Sequence, residues 1–370
     1  MVTLFNRKWT RKQLMARVGD ASQFASARSC TLADGKAKGM AAVDLATGSG
    51  LRFTVLPDRA LDIGAAEFCG RSLCWRSETG DVAPQYYQPE GQEWLYSFGG
   101  GLLATCGLTT FGEPSDDEGE QLGLHGRIGN TPAREVAARS GWDGEDYIVG
   151  VSGEVVESRA LGVNIALQRY VFAFAGEKRI FVHDEVTNRA AVPCPHMILY
   201  HINLGFPVVS GTSRVLAPSL MVEPFNDAAE KGIEKHADCA PPKAGIGPEV
   251  FTHDLGTLEG QTVAGVVNPD LAFGVYVSYK KSQLPLLTQW KMLGARDYVI
   301  GLEPCTNRVG GRATERAAGR LRMLKPDETV SYDLEIGVLT GEEEIAVLER
   351  TVKKAMGRRK TKFGQMESGA

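Results

Sequence analysis

The chain has 370 residues, 43% hydrophobic and 23% charged, the balance of a globular protein with room for one large domain or two ordinary ones. A formal net charge of −4 argues against nucleic acid as a partner, because phosphate binding calls for a basic surface. No apolar run approaches the ~20 residues of a membrane helix, and Met1–Trp9 lacks the apolar region of a signal peptide, so a cytoplasmic protein is expected.

The cysteines (Cys30, Cys69, Cys74, Cys106, Cys194, Cys239 and Cys305) are odd in number and include no Cys-x-x-Cys pair. That fits reduced thiols better than a disulfide framework or a structural zinc site. Cys106 reads as a buried small residue rather than a nucleophile, since no base is identifiable beside it.

Residues 1–25 form an N-terminal extension in which 9–18 predict a short helix with Thr10 as N-cap. Short strands follow at Gly39–Leu45, Leu51–Leu56, Ile63–Phe68 and Ser72–Arg76, joined by turns too tight for anything but antiparallel pairing. The charged cluster Asp58, Arg59 and Asp62 interrupts them and is read as pairing at the surface. Residues 80–140 are irregular, and the acidic run Glu113–Glu120 reads as a solvated loop. A loop region this long inside a compact domain is usually functional. At its centre His125 and Arg127 are two apart and face the same way if the backbone is extended, with glycines flanking His125 for close backbone approach.

Strands resume at Tyr147–Glu157, Gly162–Ala173 and Lys178–Asn188, and then at Met197–Leu204. In this last stretch Met197, Leu199, His201 and Asn203 share one face, and Ile198, Tyr200, Ile202 and Leu204 share the other. The second face is core. The first passes from apolar residues to an imidazole and an amide, which marks either the floor of a polar cleft or a core histidine satisfied by a carbonyl.

Residues 208–260 form a long excursion containing Glu223-Pro-Phe-Asn-Asp227. Strands follow at Val263–Val267, Phe273–Tyr279, Leu286–Trp290 and Tyr298–Glu303, then near Leu321–Met323 and Thr329–Ile336. Residues 341–370 supply a C-terminal helix with an Ile345, Leu348, Val352 stripe and a basic tail expected to be disordered. Residues 26–340 are therefore expected to be one mainly β, antiparallel domain, a sandwich or barrel. An exposed sheet edge would suit a homodimer.

The motifs Asp62-Ile-Gly, Phe98-Gly-Gly-Gly-Leu-Leu-Ala-Thr-Cys-Gly-Leu108, Leu124-His-Gly-Arg-Ile-Gly-Asn-Thr-Pro-Ala133, Tyr200-His-Ile-Asn-Leu-Gly-Phe-Pro207 and Gly301-Leu-Glu-Pro304 together resemble a family. In order and spacing they resemble the aldose 1-epimerases (galactose mutarotases), and more closely the DUF4432 branch of that superfamily, over roughly residues 40–340. The resemblance implies the mutarotase supersandwich and a small-molecule sugar as partner, with no cofactor and no metal. By position, Glu303 matches the general base at the anomeric hydroxyl, and His201 the general acid at the ring oxygen. His125 matches the histidine that hydrogen-bonds the sugar near that oxygen.

Arg127 and Arg59 are candidates to hold sugar hydroxyls or an acidic group, Asn203 to line the cleft floor, and Trp290 to stack on the sugar. Asp227 (or Asn226) is a loose counterpart of the family's hydroxyl-binding aspartate. Arg127 stands where the family usually has glycine, and this extra cation leads to the expectation of an acidic or modified sugar. Two alternatives remain open: a metal-dependent sugar isomerase or lyase with His125, His201 and Glu303 as ligands, and a non-catalytic carbohydrate-binding protein.

Overall fold

The computed structural model describes residues 1–366. Strands dominate, arranged in two eight-stranded sheets, a five-stranded sheet and two small hairpins. The first large sheet runs, edge to edge, Arg134–Asp143, Asp146–Ser158, Asn164–Phe174, Arg179–Asn188, Thr329–Thr340, Phe273–Lys280, Gln261–Asn268 and Arg214–Leu216. The second runs Arg322–Leu324, Cys194–Leu204, Tyr298–Cys305, Leu286–Leu293, Glu249–Leu255, Ser219–Pro224 and Lys362–Phe363, with Ala104–Leu108 also paired to Cys194–Leu204. The five-stranded meander spans Ser26–Ser72.

The Cys194–Leu204 strand separates two cores as its alternation requires. Ile198, Tyr200, Ile202 and Leu204 enter the main core, with Val151, Leu167, Val182 and Ile336 of the first sheet and Val55 and Ile63 of the meander. Met197 and Leu199 enter a second cluster with Cys106, Val299, Cys305, Trp75, Trp94 and Phe98. A buried ionic knot ties all three sheets. Arg169, fully buried, donates to Asp184 at 2.7 Å and Asp62 at 3.0 Å, and the Tyr200 hydroxyl donates to Asp184 at 2.7 Å. Burying charge is tolerable here because every charged group has a hydrogen-bonded opposite.

Several expectations are corrected. The Asp58–Asp62 cluster is not a surface ion-pair group: Arg59 and Asp62 are buried, Asp62 inside the knot, and Asp58 accepts from the Ala41 N–H. The acidic run is a hairpin, Ser115–Asp117 with Glu120–Leu122, whose Asp117 is buried against Arg312 and Arg316. The strand Arg134–Asp143 went unpredicted, and Ser72–Arg76 yields only the short strand Arg71–Ser72. The basic tail is ordered as far as Lys362–Phe363, which pairs in parallel with Met221–Val222.

The N-terminal helix is Arg11–Met15, with Thr10 and Gln13 closing a capping box, and it follows a hairpin of Val2–Leu4 and Arg7–Trp9. The C-terminal helix, Glu342–Met356, buries Ile345 and Leu348 against Val263, Val267 and Leu339, with Val352 packed beside them. Among the described residues no helix is long and apolar enough to cross a membrane.

Candidate active site

The second sheet sets out a row of side chains on the face opposite the main core. Its register pairs Ala104 with His201 on one side, and Leu199 with Cys305 and Ile202 with Leu302 on the other, which sets His201 across from Glu303. Glu303 in turn pairs with Thr288. Imidazole and carboxylate therefore converge because two neighbouring strands each place a polar residue at one level of the pleat. His201 Nε2 lies 3.2 Å from Glu303 Oε1.

Gly301 makes room for this contact. A Cβ there would stand 2.4 Å from Glu303 Oε1 and 3.0 Å from the Trp290 Cβ. The carboxyl thus leans back over the glycine two residues before it on the same strand.

His125 arrives from a turn. Its φ is +58°, and its N–H donates to the Gly112 carbonyl at 3.1 Å while its carbonyl accepts from the Gly107 N–H at 3.1 Å. Gly126, at φ +73°, cannot be replaced without strain, because a Cβ would sit 2.5 Å from the carbonyl oxygens of Gly107 and Thr110. The Gly112 N–H donates to His125 Nδ1 at 3.4 Å, which leaves Nε2 as the protonated nitrogen of the neutral ring. The rings of His125 and His201 stand edge to face, 5.8 Å apart.

These residues line a cavity of about 440 Å³, within the usual range of small-molecule sites. Its walls are aromatic: Trp290 stands 5.4 Å from His201 and 5.7 Å from Trp75, and Trp94 stacks on Phe98 at 4.4 Å. Two buried polar atoms of lining residues, Trp75 Nε1 and His201 Nδ1, have no hydrogen-bond partner among the described residues, and Glu303 Oε1 has only its contact with His201.

Burial sets the proton affinities. It pushes the Glu303 carboxyl well above the usual carboxylate range. It pushes His201 well below the usual imidazole value, and the neighbouring His125 adds to that fall. His125 itself is brought down to about 4 by burial. Cys106 is fully buried, and its thiol is pushed well up, first by burial and then by Glu303, so it stays protonated and inert.

Of the residues singled out in the sequence, His125, His201, Glu303 and Trp290 line this cavity. Four others do not. Arg59 is buried elsewhere, donating to the backbone carbonyls of Gly129, Val82 and Ser97. Asn203 is fully buried, and its amide nitrogen donates to the Gly101 and His201 carbonyls at 3.1 and 2.9 Å, tying the glycine loop to the strand.

Asp227 is an exposed residue in the first turn of the helix Asp227–Gly232, which Asn226 caps. Arg127 is exposed at the start of a short 3₁₀ turn and does not share the direction of His125, because the backbone between them turns at positive φ instead of extending. The cation expected in the cleft is therefore not there. Sequence reasoning missed Trp75, Trp94, Thr288 and the carboxylates Glu78, Glu113 and Asp297, which also line the cavity. The Gly-Gly-Gly run after Phe98 was the available signal for Trp75, since a Cβ on Gly100 would stand 2.6 Å from the Trp75 carbonyl.

The remaining histidines lie outside the cleft. His183 contacts Asp333 at 2.7 Å, His236 faces its own helical turn, and His253 is buried against Ser219. Among the described residues no three His, Cys, Asp or Glu side chains converge as a metal-ligand set.

The sheets and the cleft define a mainly β supersandwich of the galactose mutarotase type. More particularly, the chain belongs to the DUF4432 family, described as a domain of unknown function, whose model matches residues 37–338. It is similar to the crystal structure of a putative aldose 1-epimerase from Klebsiella pneumoniae subsp. pneumoniae MGH 78578, with 28% identity and a TM-score of 0.88 over 97% of this chain and 94% of that one.

Two more distant likenesses are of fold. A galactose mutarotase-like protein from Clostridium acetobutylicum has 14% identity and a TM-score of 0.58 over 86% of this chain and 99% of that one. Galactose 1-epimerase from Lactobacillus acidophilus NCFM has 12% identity and a TM-score of 0.55 over 86% and 100%. No curated protein matches the sequence.

Proposed function

We propose that this protein interconverts the anomers of an aldose, with Glu303 and His201 exchanging protons at the anomeric centre and His125 donating a hydrogen bond to the substrate. The observation that carries this reading is the 3.2 Å contact of Glu303 with His201 at the floor of a sugar-sized, aromatic-walled cleft. The likeness to aldose 1-epimerases supports the substrate class.

The chemistry follows from that contact. The anomeric hydroxyl and the ring oxygen are bonded to the same carbon, so an acid and a base side by side can serve both. The Glu303 carboxylate takes the hydroxyl proton, the C1–O5 bond breaks with its electron pair moving to O5, and the imidazolium of His201 delivers a proton there. Rotation about C1–C2 in the open aldehyde and reversal of the same steps give the other anomer.

The working pair holds one proton. In the cleft, burial favours its neutral form, a carboxylic acid beside a neutral imidazole. The carboxylate–imidazolium form differs only by moving that proton across the contact, and bound sugar hydroxyls stabilise it. Paired proton transfer of this kind contributes about 10²–10⁴-fold. A metal-dependent isomerase is less well supported, since the three candidate donors do not converge as a ligand set.

The test is NMR anomer exchange across neutral, amino and acidic aldoses, with the Glu303→Gln variant as control. Catalysed exchange of at least one sugar, lost in the variant, is expected. Sugar binding in both proteins without catalysed exchange in either would leave a binding protein.

A further inference from the structure

The cleft carries four acids and no permanently charged cation. Glu78, Glu113 and Asp297 line it together with Glu303, and no Lys or Arg does. Nearby arginines are already committed, Arg76 to Asp81 at 2.6 Å and Arg308 to Glu223 at 3.0 Å. Glu78 and Asp297 both line this cavity. The half-buried Asp297 carboxyl is pushed up by burial first, and then by the charge of Glu78. Two carboxyls that influence one another in this way repel when both are ionised, and a cation between them relieves the repulsion.

The walls have the same preference, because the π-faces of Trp75, Trp94, Phe98 and Trp290 attract positive charge. Deeper in, Trp75 and His201 are 9% and 5% exposed, and each holds a polar nitrogen without a hydrogen-bond partner among the described residues. Those atoms call for a polar ligand rather than a bare ion.

We propose that the cleft selects an aldose bearing a primary ammonium group, with its anomeric centre over Glu303 and His201 and its ammonium toward Glu78 and Asp297. This rests on the epimerase reading and narrows its substrate class. It reverses the expectation of an acidic sugar, whose carboxylate would meet carboxylates with no cation between them.

The test is isothermal calorimetry on the full chain with D-glucosamine at a pH where its amine is protonated, set beside D-glucose and D-glucuronate. The same titrations are run on a Glu78→Gln, Asp297→Asn double variant. Glucosamine is expected to bind about three- to ten-fold tighter than glucose, the range for one or two partly exposed ion pairs. Glucuronate is expected to bind weakest, and the glucosamine preference to vanish in the double variant.

Equal binding of glucosamine and glucose, a preference for glucuronate, or a preference that survives in the double variant would overturn the proposal. So would tight binding of Ca²⁺ alone to the wild type that is lost in the double variant, which would make the carboxylates a cation site. Catalysed anomer exchange of glucose without any gain for glucosamine sinks this inference alone. Failure of every sugar to bind sinks the epimerase reading with it.

Discussion

His201 Nε2 and Glu303 Oε1, on adjacent strands of one sheet, approach to 3.2 Å with both side chains almost wholly buried. Groups that share one proton act as a unit, so their losses are not additive. Glu303→Gln and His201→Asn are each expected to lower catalysed anomer exchange by about 10²–10⁴-fold, and the double variant to be little worse than either single one. Multiplying losses in the double variant would show that the two act independently.

The same pairing fixes a pH profile. Activity requires the pair to hold one proton. A second proton is resisted because His201 is held well below its usual value, and loss of the first is resisted because Glu303 is held well above its own. Catalysed exchange, corrected for the spontaneous rate, is expected to have its acid limb below pH 6.5, the ordinary imidazole value. An acid limb above that value would contradict the assignment.

Gly301 tests whether position alone matters. A methyl group there would meet Glu303 Oε1 at 2.4 Å, and the carboxyl, being the free end of a side chain, is what yields. Gly301→Ala is expected to keep the fold, with a circular dichroism spectrum and melting transition close to wild type. Activity should fall by about 10²-fold if the carboxyl moves by about 1 Å. Full activity in a folded variant would mean that Glu303 is not held where the reaction needs it.

Arg59 and Arg127 looked alike in the sequence and should behave oppositely. Arg59→Met strips donors from three buried backbone carbonyls, at about 1–3 kcal/mol for each left unsatisfied. A loss on the order of 3 kcal/mol in denaturant unfolding is expected. Arg127→Ala, at an exposed position outside the cleft, should change neither stability nor anomer exchange measurably. A specific activity loss in Arg127→Ala would restore that cation to the site.

What the sequence could and could not reveal divides along the range of the interactions. Strand alternation is local, so the two faces of Met197–Leu204 were legible, and with them the core and the cleft floor. Charge was misleading wherever its partner lay far along the chain. Asp62 and Asp117 read as surface acids, yet Arg169 and Arg312 bury with them. Arg127 was misplaced by assuming extended backbone, although Gly126 beside His125 was the sign of a turn. The cleft walls were out of reach because Trp75 and Asp297 come from loops, and Trp94 from a short 3₁₀ helix, that meet only when the sheets are assembled.

His196 gives a stability test independent of function. It is fully buried between two sheets. The Leu108 carbonyl can only accept, so Nδ1 donates to it at 3.0 Å, and Nε2 accepts from the Tyr332 hydroxyl at 2.7 Å. This is a neutral ring, and burial brings it down to about 4 from an ordinary 6.5. In the unfolded chain the ring takes its proton near 6.5, so between there and about 4 the unfolded state binds more protons than the folded one. The ring's contribution is therefore complete above pH 6.5 and shrinks as the pH falls through that window. Comparing wild type with His196→Asn isolates it from the buried carboxyls, which titrate with the opposite sign. The stability gap in urea unfolding should be widest above pH 6.5 and narrow by about 1.4 kcal/mol per pH unit toward pH 4. A gap that is constant with pH, or widens in acid, would mean that His196 is not held neutral between Leu108 and Tyr332.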